Sequence, residues 1–109
     1  WADSESLKGR IKLVLERAQL AKEAGLDGVV ASSQEAAIFR KNLGEDFIIV
    51  TPGIRPKGSE TGDQKRVATP ADAIASGSNF LVVGRPIVEA ENPSEIAKQI
   101  LKDIERAKQ

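Results

Sequence analysis

Phe47-Ile48-Ile49-Val50-Thr51-Pro52-Gly53-Ile54-Arg55-Pro56-Lys57-Gly58-Ser59-Glu60-Thr61-Gly62-Asp63-Gln64-Lys65-Arg66 is the stretch on which the reading of this chain turns. Its first four residues form an apolar run that reads as a buried strand. Thr69-Pro70, just beyond it, reads as a helix start. Thr51 to Arg66 is therefore a long strand-to-helix loop. The loop holds three glycines, two prolines, four cationic side chains and one amide, with almost nothing apolar after Ile54. Loops this long in a compact domain are functional or disordered. Glycines together with cations favour function, and the ligand they suit is an anion, most simply phosphate.

Toward the N-terminus, Leu7, Ile11, Val14, Leu15, Ala18 and Ala21 recur at three- and four-residue spacing. That is one face of an amphipathic helix over Leu7–Ala24, capped by Gly25 and weakened in its first turn by Gly9. Residues 1–6 read as a frayed start. Asp27 to Ala31 is short and Val-rich, a strand buried on both faces. Ser32 and Glu35 fit a capping box for a helix that carries Ala36, Ala37, Ile38, Phe39 and Leu43 and stops at Gly44.

Toward the C-terminus, Thr69-Pro70-Ala71-Asp72 opens a short helix that ends at Gly77. Asn79 to Val83 is a third strand, running into Gly84-Arg85-Pro86-Ile87 as a short helical turn. Asn92-Pro93-Ser94-Glu95 opens the last helix, whose apolar face is Ile96, Ile100, Leu101 and Ile104. A helix followed by three strand–helix units predicts the α/β class with a parallel sheet. Ligands in such folds bind at the C-terminal ends of the strands. The loop, Gly84-Arg85 and Ser32 all fall there.

At 109 residues the chain is one domain or part of one. Sixteen basic and sixteen acidic residues balance, so no net field draws nucleic acid or an anionic membrane. The bases gather locally instead, at Arg55, Lys57, Lys65, Arg66 and Arg85. Cys, His, Tyr and Met are all missing. Disulfides, thiolate nucleophiles and Cys-ligated metals are thereby excluded, and the commonest general base and metal ligand is gone. Four missing residue types in a chain beginning at Trp1 suit an excised or engineered segment, or a chance bias in a short sequence. No apolar run approaches a membrane span and no signal peptide is visible, so a cytoplasmic setting is expected.

A phosphate at the ends of the second and third strands would meet a coherent set of groups. Gly53 lets the backbone approach it closely. Arg55 and Arg85 each offer a planar fork to two oxygens. Gln64 adds an uncharged donor, and Gly84 exposes its amide. Each has a plainer reading beside it: Arg55 as a solvated loop cation, Arg85 as the surface partner of Glu89 or Glu91, Gln64 as a support of loop backbone, and the glycines as turn residues. Lys57, Lys65 and Arg66 read as solvated. Ser32 reads as a helix cap, since no base accompanies it for nucleophilic work. Asp27 and Asp63 are lone carboxylates without the partner an acid/base pair needs.

Several segments carry a resemblance: Gly25-Leu26-Asp27-Gly28-Val29-Val30, Ser33-Gln34-Glu35-Ala36, Thr51-Pro52-Gly53-Ile54-Arg55-Pro56, Gly62-Asp63-Gln64 and Val83-Gly84-Arg85-Pro86-Ile87. In this order they resemble orotidine 5′-phosphate decarboxylase of the bacterial type, from about Leu7 to the C-terminus. The resemblance implies a dimeric (βα)8 barrel without metal or organic cofactor, which converts orotidine monophosphate to uridine monophosphate. It implies that Arg55, Gln64, Gly84 and Arg85 hold the 5′-phosphate, with Gln64 also reaching the base. The strands here would be the sixth to eighth of that barrel.

The departures bear on activity. The family's catalytic Asp-x-Lys-x-x-Asp-type motif lies on earlier strands, and no match to it occurs here; Asp63-Gln64-Lys65 lies in the phosphate loop. Ala31 stands where the family usually has Cys or a similar residue. The resemblance thus implies a phosphate-gripping portion, inactive alone, binding a nucleotide monophosphate, phosphate or sulfate. Three parallel strands cannot close a barrel. A homodimer, a higher oligomer or a complementary N-terminal half is expected to cover the open edges. An engineered scaffold without ligand binding is the alternative.

Overall fold

The structure is a computed structural model that describes residues 4–56 and 68–108, with side chains in the first helix described from Gly9 onward. Of the loop cations and donors considered above, Lys57, Gln64, Lys65 and Arg66 lie outside the described residues, as does Asp63.

Helix α1 runs over Ser4–Glu23. It starts earlier than the periodicity predicts, because Ser4 to Ser6 contain no breaker. Val14, Leu15 and Ala18 face the core. The helix ends in a Schellman motif: Leu26 N–H donates to the Ala21 carbonyl and Gly25 N–H to that of Lys22, both at 3.0 Å. Gly25 sits at φ 93°, which the motif requires and a side chain would resist.

Strand β1 is Gly28–Val30, α2 is Ser33–Leu43, and β2 is Ile48–Thr51. Helix α2 begins with the expected capping box, in which the Ser32 hydroxyl accepts from Glu35 N–H and the Glu35 carboxylate accepts from Ser32 N–H. Its buried residues, Ala36, Phe39 and Leu43, recur at helical spacing. Helix α3 is Pro70–Ala75, β3 is Phe80–Leu81, α4 is Arg85–Val88 and α5 is Pro93–Ala107. Thr69 with Asp72, and Asn92 with Glu95, cap α3 and α5.

The strands form one parallel sheet in the order β1-β2-β3. Gly28 pairs with Ile48, Val30 with Val50, and Val50 with Phe80. Side chains alternate across a strand, so the pairing fixes two faces. Val29, Ala31 and Ile49 pack with α1 and α2 into the main core, together with Phe39, Leu43 and Phe47. The other face carries Val30, Ile48, Phe80 and Val82, which are 72%, 37%, 60% and 52% exposed.

That exposure corrects the expectation of a strand buried on both faces. The contacts of the sheet are with helices lying on one side of it, so the opposite face, though apolar, is uncovered. Leu101 is a second correction: it was expected on the inward face of α5, yet Ile100 is buried and Leu101 is 61% exposed.

Beneath the sheet, Arg40 joins three elements. Its guanidinium donates to the carbonyls of Gly44, Glu45, Phe47 and Gly77 and to the Asn79 side-chain oxygen. The same Asn79 oxygen accepts from Ile49 N–H at 2.8 Å. One side chain thereby sets the N-terminal ends of β2 and β3 against the end of α2.

Candidate functional site

The C-terminal ends of β2 and β3 lie side by side, with Thr51 paired to Leu81. Past Thr51 the chain turns at Gly53, whose φ of 73° is available to glycine and strained for other residues. Ile54 and Pro56 are then buried while Arg55 between them is half-exposed. The two apolar neighbours anchor the backbone on either side of it. Across from them, Arg55 N–H donates to the Ala68 carbonyl at 2.9 Å and Ala68 N–H donates to the Gly53 carbonyl at 3.3 Å. Ile54 and Ala68 form an isolated parallel bridge. The chain is thus tied together on either side of residues 57–67.

After β3, Gly84 precedes a single helical turn. Ile87 and Val88 N–H both donate to the Gly84 carbonyl at 3.0 Å. Arg85 opens that turn and is exposed. Among the described residues no ion pair joins Arg85 to Glu89 or Glu91, the plainer role considered for it.

These two segments enclose a cleft of about 250 Å³, lined by Gly53, Arg55, Gly84 and Arg85 together with Ile54, Val82 and Pro86. Four of the five candidates therefore surround one space, and Gln64 lies outside the described residues. Ile54, Val82 and Pro86 were missed in the sequence, where their apolar character carries no chemical signal. Among the described residues, two guanidinium-bearing side chains and no carboxylate line the cleft, a balance that suits an anion. Among the described residues, no group of three or more acidic side chains is placed to hold a metal ion.

Ser32 is occupied as a cap: its hydroxyl also donates to Glu35 Oε1 at 2.9 Å. A larger hollow, about 550 Å³, lies at the opposite ends of the strands beside Arg40, Lys41, Glu45 and Asn79. The Arg40 guanidinium there is already engaged by backbone acceptors, so it serves the fold.

The sequence profile of the orotidine 5′-phosphate decarboxylase / HUMPS family matches residues 2–100. The chain belongs to that family. An orotidine 5′-phosphate decarboxylase of Actinobacillus succinogenes is 61% identical over 87 residues, which cover 80% of this chain and 38% of that protein. One from Vibrio cholerae is 60% identical over the same lengths. Among solved structures, the orotidine 5′-phosphate decarboxylase from Lactobacillus acidophilus superposes with a TM-score of 0.75 at 40% identity, covering 87% of this chain and 38% of that one. The enzyme from Pyrococcus horikoshii gives 0.68 at 29% identity over 95% and 47%. The chain thus spans under half the length of the family members it matches. Its three parallel strands and their helices are a portion of the family's barrel, in keeping with the helices packed on one face. Among the described residues no helix is long and apolar enough to cross a membrane.

Proposed function

We propose that this chain is the phosphate-gripping portion of an orotidine 5′-phosphate decarboxylase, the enzyme that releases CO2 from orotidine monophosphate to leave uridine monophosphate. The observation that carries the reading is the convergence of Gly53, Arg55, Gly84 and Arg85 on one cleft at the C-terminal ends of β2 and β3. Barrel enzymes commonly place a phosphate at the loops after their last two strands.

In this reading Arg55 and Arg85 approach the phosphate from the two sides of the cleft. Each guanidinium is always charged and offers paired N–H donors that match two phosphate oxygens. Gly53 and Gly84 let backbone come close where a Cβ would stand in the way. Gln64, outside the described residues, is by resemblance a further, uncharged donor to the phosphate and the base. The binding energy positions a nucleotide whose reacting carbon lies elsewhere. Carboxylate loss itself belongs to an Asp/Lys network for which this sequence has no match, so the chain alone is expected to bind and not to turn over. The protein is expected to work in the cytoplasm.

Isothermal titration with uridine monophosphate and with inorganic phosphate tests the reading. A charged hydrogen bond is worth roughly 1.5–3 kcal/mol when shielded and less at a surface, so Arg85→Ala is expected to weaken both ligands about tenfold or more. Equal binding by the parent chain and Arg85→Ala would refute it.

A further inference from the structure

Two hydroxyls are buried where the end of β2 meets the turn that leads into β3. Thr51 is 0% exposed and Ser78 is 6% exposed. Among the described residues they are the buried side chains of polar type. Their oxygens are hydrogen-bonded to one another at 2.5 Å. Neither has a part in the phosphate reading. A buried hydroxyl costs free energy unless it is paired, and two apolar groups of the same shape would fill the space without that demand. What the hydroxyls add is direction. A hydrogen bond confines two oxygens in distance and angle, whereas apolar groups in contact slide past one another at little cost.

From this pair, bonds run to every segment that walls the cleft. The Thr51 backbone leads through Pro52 into Gly53. The Thr51 carbonyl accepts from Val82 N–H at 2.9 Å, just ahead of Gly84 and Arg85. On the other side, Ser78 N–H donates to the Ala73 carbonyl at 3.0 Å, and Ala73 N–H donates to that of Thr69 at 3.1 Å. Thr69 follows Ala68, whose backbone is bonded to Gly53 and Arg55. The path closes a ring that runs from Thr51 to Ser78, through α3 to Ala68, and back through Gly53. Every other link in the ring is backbone; the Thr51–Ser78 bond is made by side chains.

We infer that Thr51 and Ser78 are positioning residues for the cleft: their hydrogen bond sets residues 53–55 against residues 82–85, and with them the separation of the Arg55 and Arg85 backbones. Two guanidinium forks grip one anion only when both are held at the right spacing, and a site loosened by about 1 Å loses much of its grip. The inference rests on the proposed phosphate site for its ligand readout, while the geometry it asserts is tested separately below.

Calorimetry with inorganic phosphate, paired with thermal melts of this chain, provides the test. The double variant Thr51→Val/Ser78→Ala leaves no orphaned hydroxyl and is expected to melt within about 2 °C of the parent. Its phosphate affinity is expected to fall about tenfold. Thr51→Ser keeps the hydroxyl and removes a buried methyl, so it is expected to melt lower and to bind as the parent does. Ser32→Ala, which weakens the fold at the α2 cap, is expected to do the same. Parent-like binding by the double variant would overturn the inference. So would a loss of affinity in Thr51→Ser or Ser32→Ala equal to that of the double variant.

The phosphate reading fails on a different result, equal binding by the parent and Arg85→Ala, and hydrogen exchange then decides the geometry alone. The Arg55, Ala68 and Val82 amides are expected to exchange about tenfold faster in the double variant, relative to Ala31, whose amide donates to Val50 on the other side of β2. Taking the ratio to Ala31 removes any change in overall stability. An unchanged ratio at the three amides would overturn the inference.

Discussion

Replacing Arg40 with methionine keeps the aliphatic stem and removes the guanidinium. Six contacts then vanish: two to the Gly77 carbonyl, one each to those of Gly44, Glu45 and Phe47, and one to Asn79. The contacts to Gly44, Glu45 and Asn79 are exposed, and water can replace them at little cost. Those to Phe47 and Gly77 are part-buried, at 2.7 Å each for the shorter bonds. Losing a charged donor from two such acceptors costs about 1–2 kcal/mol apiece, so the variant is expected to lose roughly 2–4 kcal/mol. A domain of this size holds about 5–15 kcal/mol in all, and each kcal/mol moves its Tm by about 4–8 °C. A fall of about 8 °C or more is therefore expected in a circular-dichroism melt at fixed protein concentration. Arg40→Lys should recover only part of it, since three donors on one nitrogen cannot span acceptors on three elements. If the methionine variant melted within about 2 °C of the parent, the clamp would be ornamental and the part-buried bonds already water-exchanged.

Three further outcomes follow from the same geometry. Gly28→Ala should destabilise the chain by about 1–3 kcal/mol in urea titration, because its Cβ would stand 2.1 Å from the Ile48 carbonyl oxygen and push β1 off β2. Ser32→Ala removes one half of the α2 capping box and is expected to cost about 1 kcal/mol by the same assay, with no effect on phosphate binding. Gly53→Ala forces a side chain into φ 73° at the mouth of the cleft; it should lower the affinity for inorganic phosphate in calorimetry more than it lowers the melting temperature.

The parts of this fold that local chemistry decides were legible in advance. Ser32 with Glu35, Thr69 with Asp72, and Asn92 with Glu95 mark helix starts through bonds that span three residues, and a sequence displays such bonds directly. Gly25, Gly44 and Gly77 mark turns for the same reason, each at positive φ. Exposure of a sheet face was not legible. In Gly28-Val29-Val30-Ala31 every side chain is apolar or absent, so alternation has nothing to report, and only the packing of α1 and α2 distinguishes Val29 from Val30. Arg40 was invisible too, because its acceptors at Gly77 and Asn79 lie 37 and 39 residues away. The candidate site fell between these cases. Its glycines and cations stood out by type, while the nearness of Arg55 to Arg85 depends on β2 pairing with β3.

The loop that attracted attention in the sequence owes its footing to backbone hydrogen bonds and one buried isoleucine, not to its charged side chains. Holding the two ends of a segment of about a dozen residues together costs roughly 2 kcal/mol in loop-closure entropy beyond a constant. Here the tie consists of two backbone hydrogen bonds, between Arg55 and Ala68 and between Ala68 and Gly53, with Ile54 only 2% exposed beneath them. Two such bonds contribute about 1 kcal/mol each, and burying an isoleucine contributes about 2 kcal/mol. These contributions offset the length-dependent part of that cost without a ligand. Arg55 emerges from it on a backbone held on both sides by buried neighbours. In the proposed phosphate site, a cation on such a backbone has only its side chain left to order when the anion arrives.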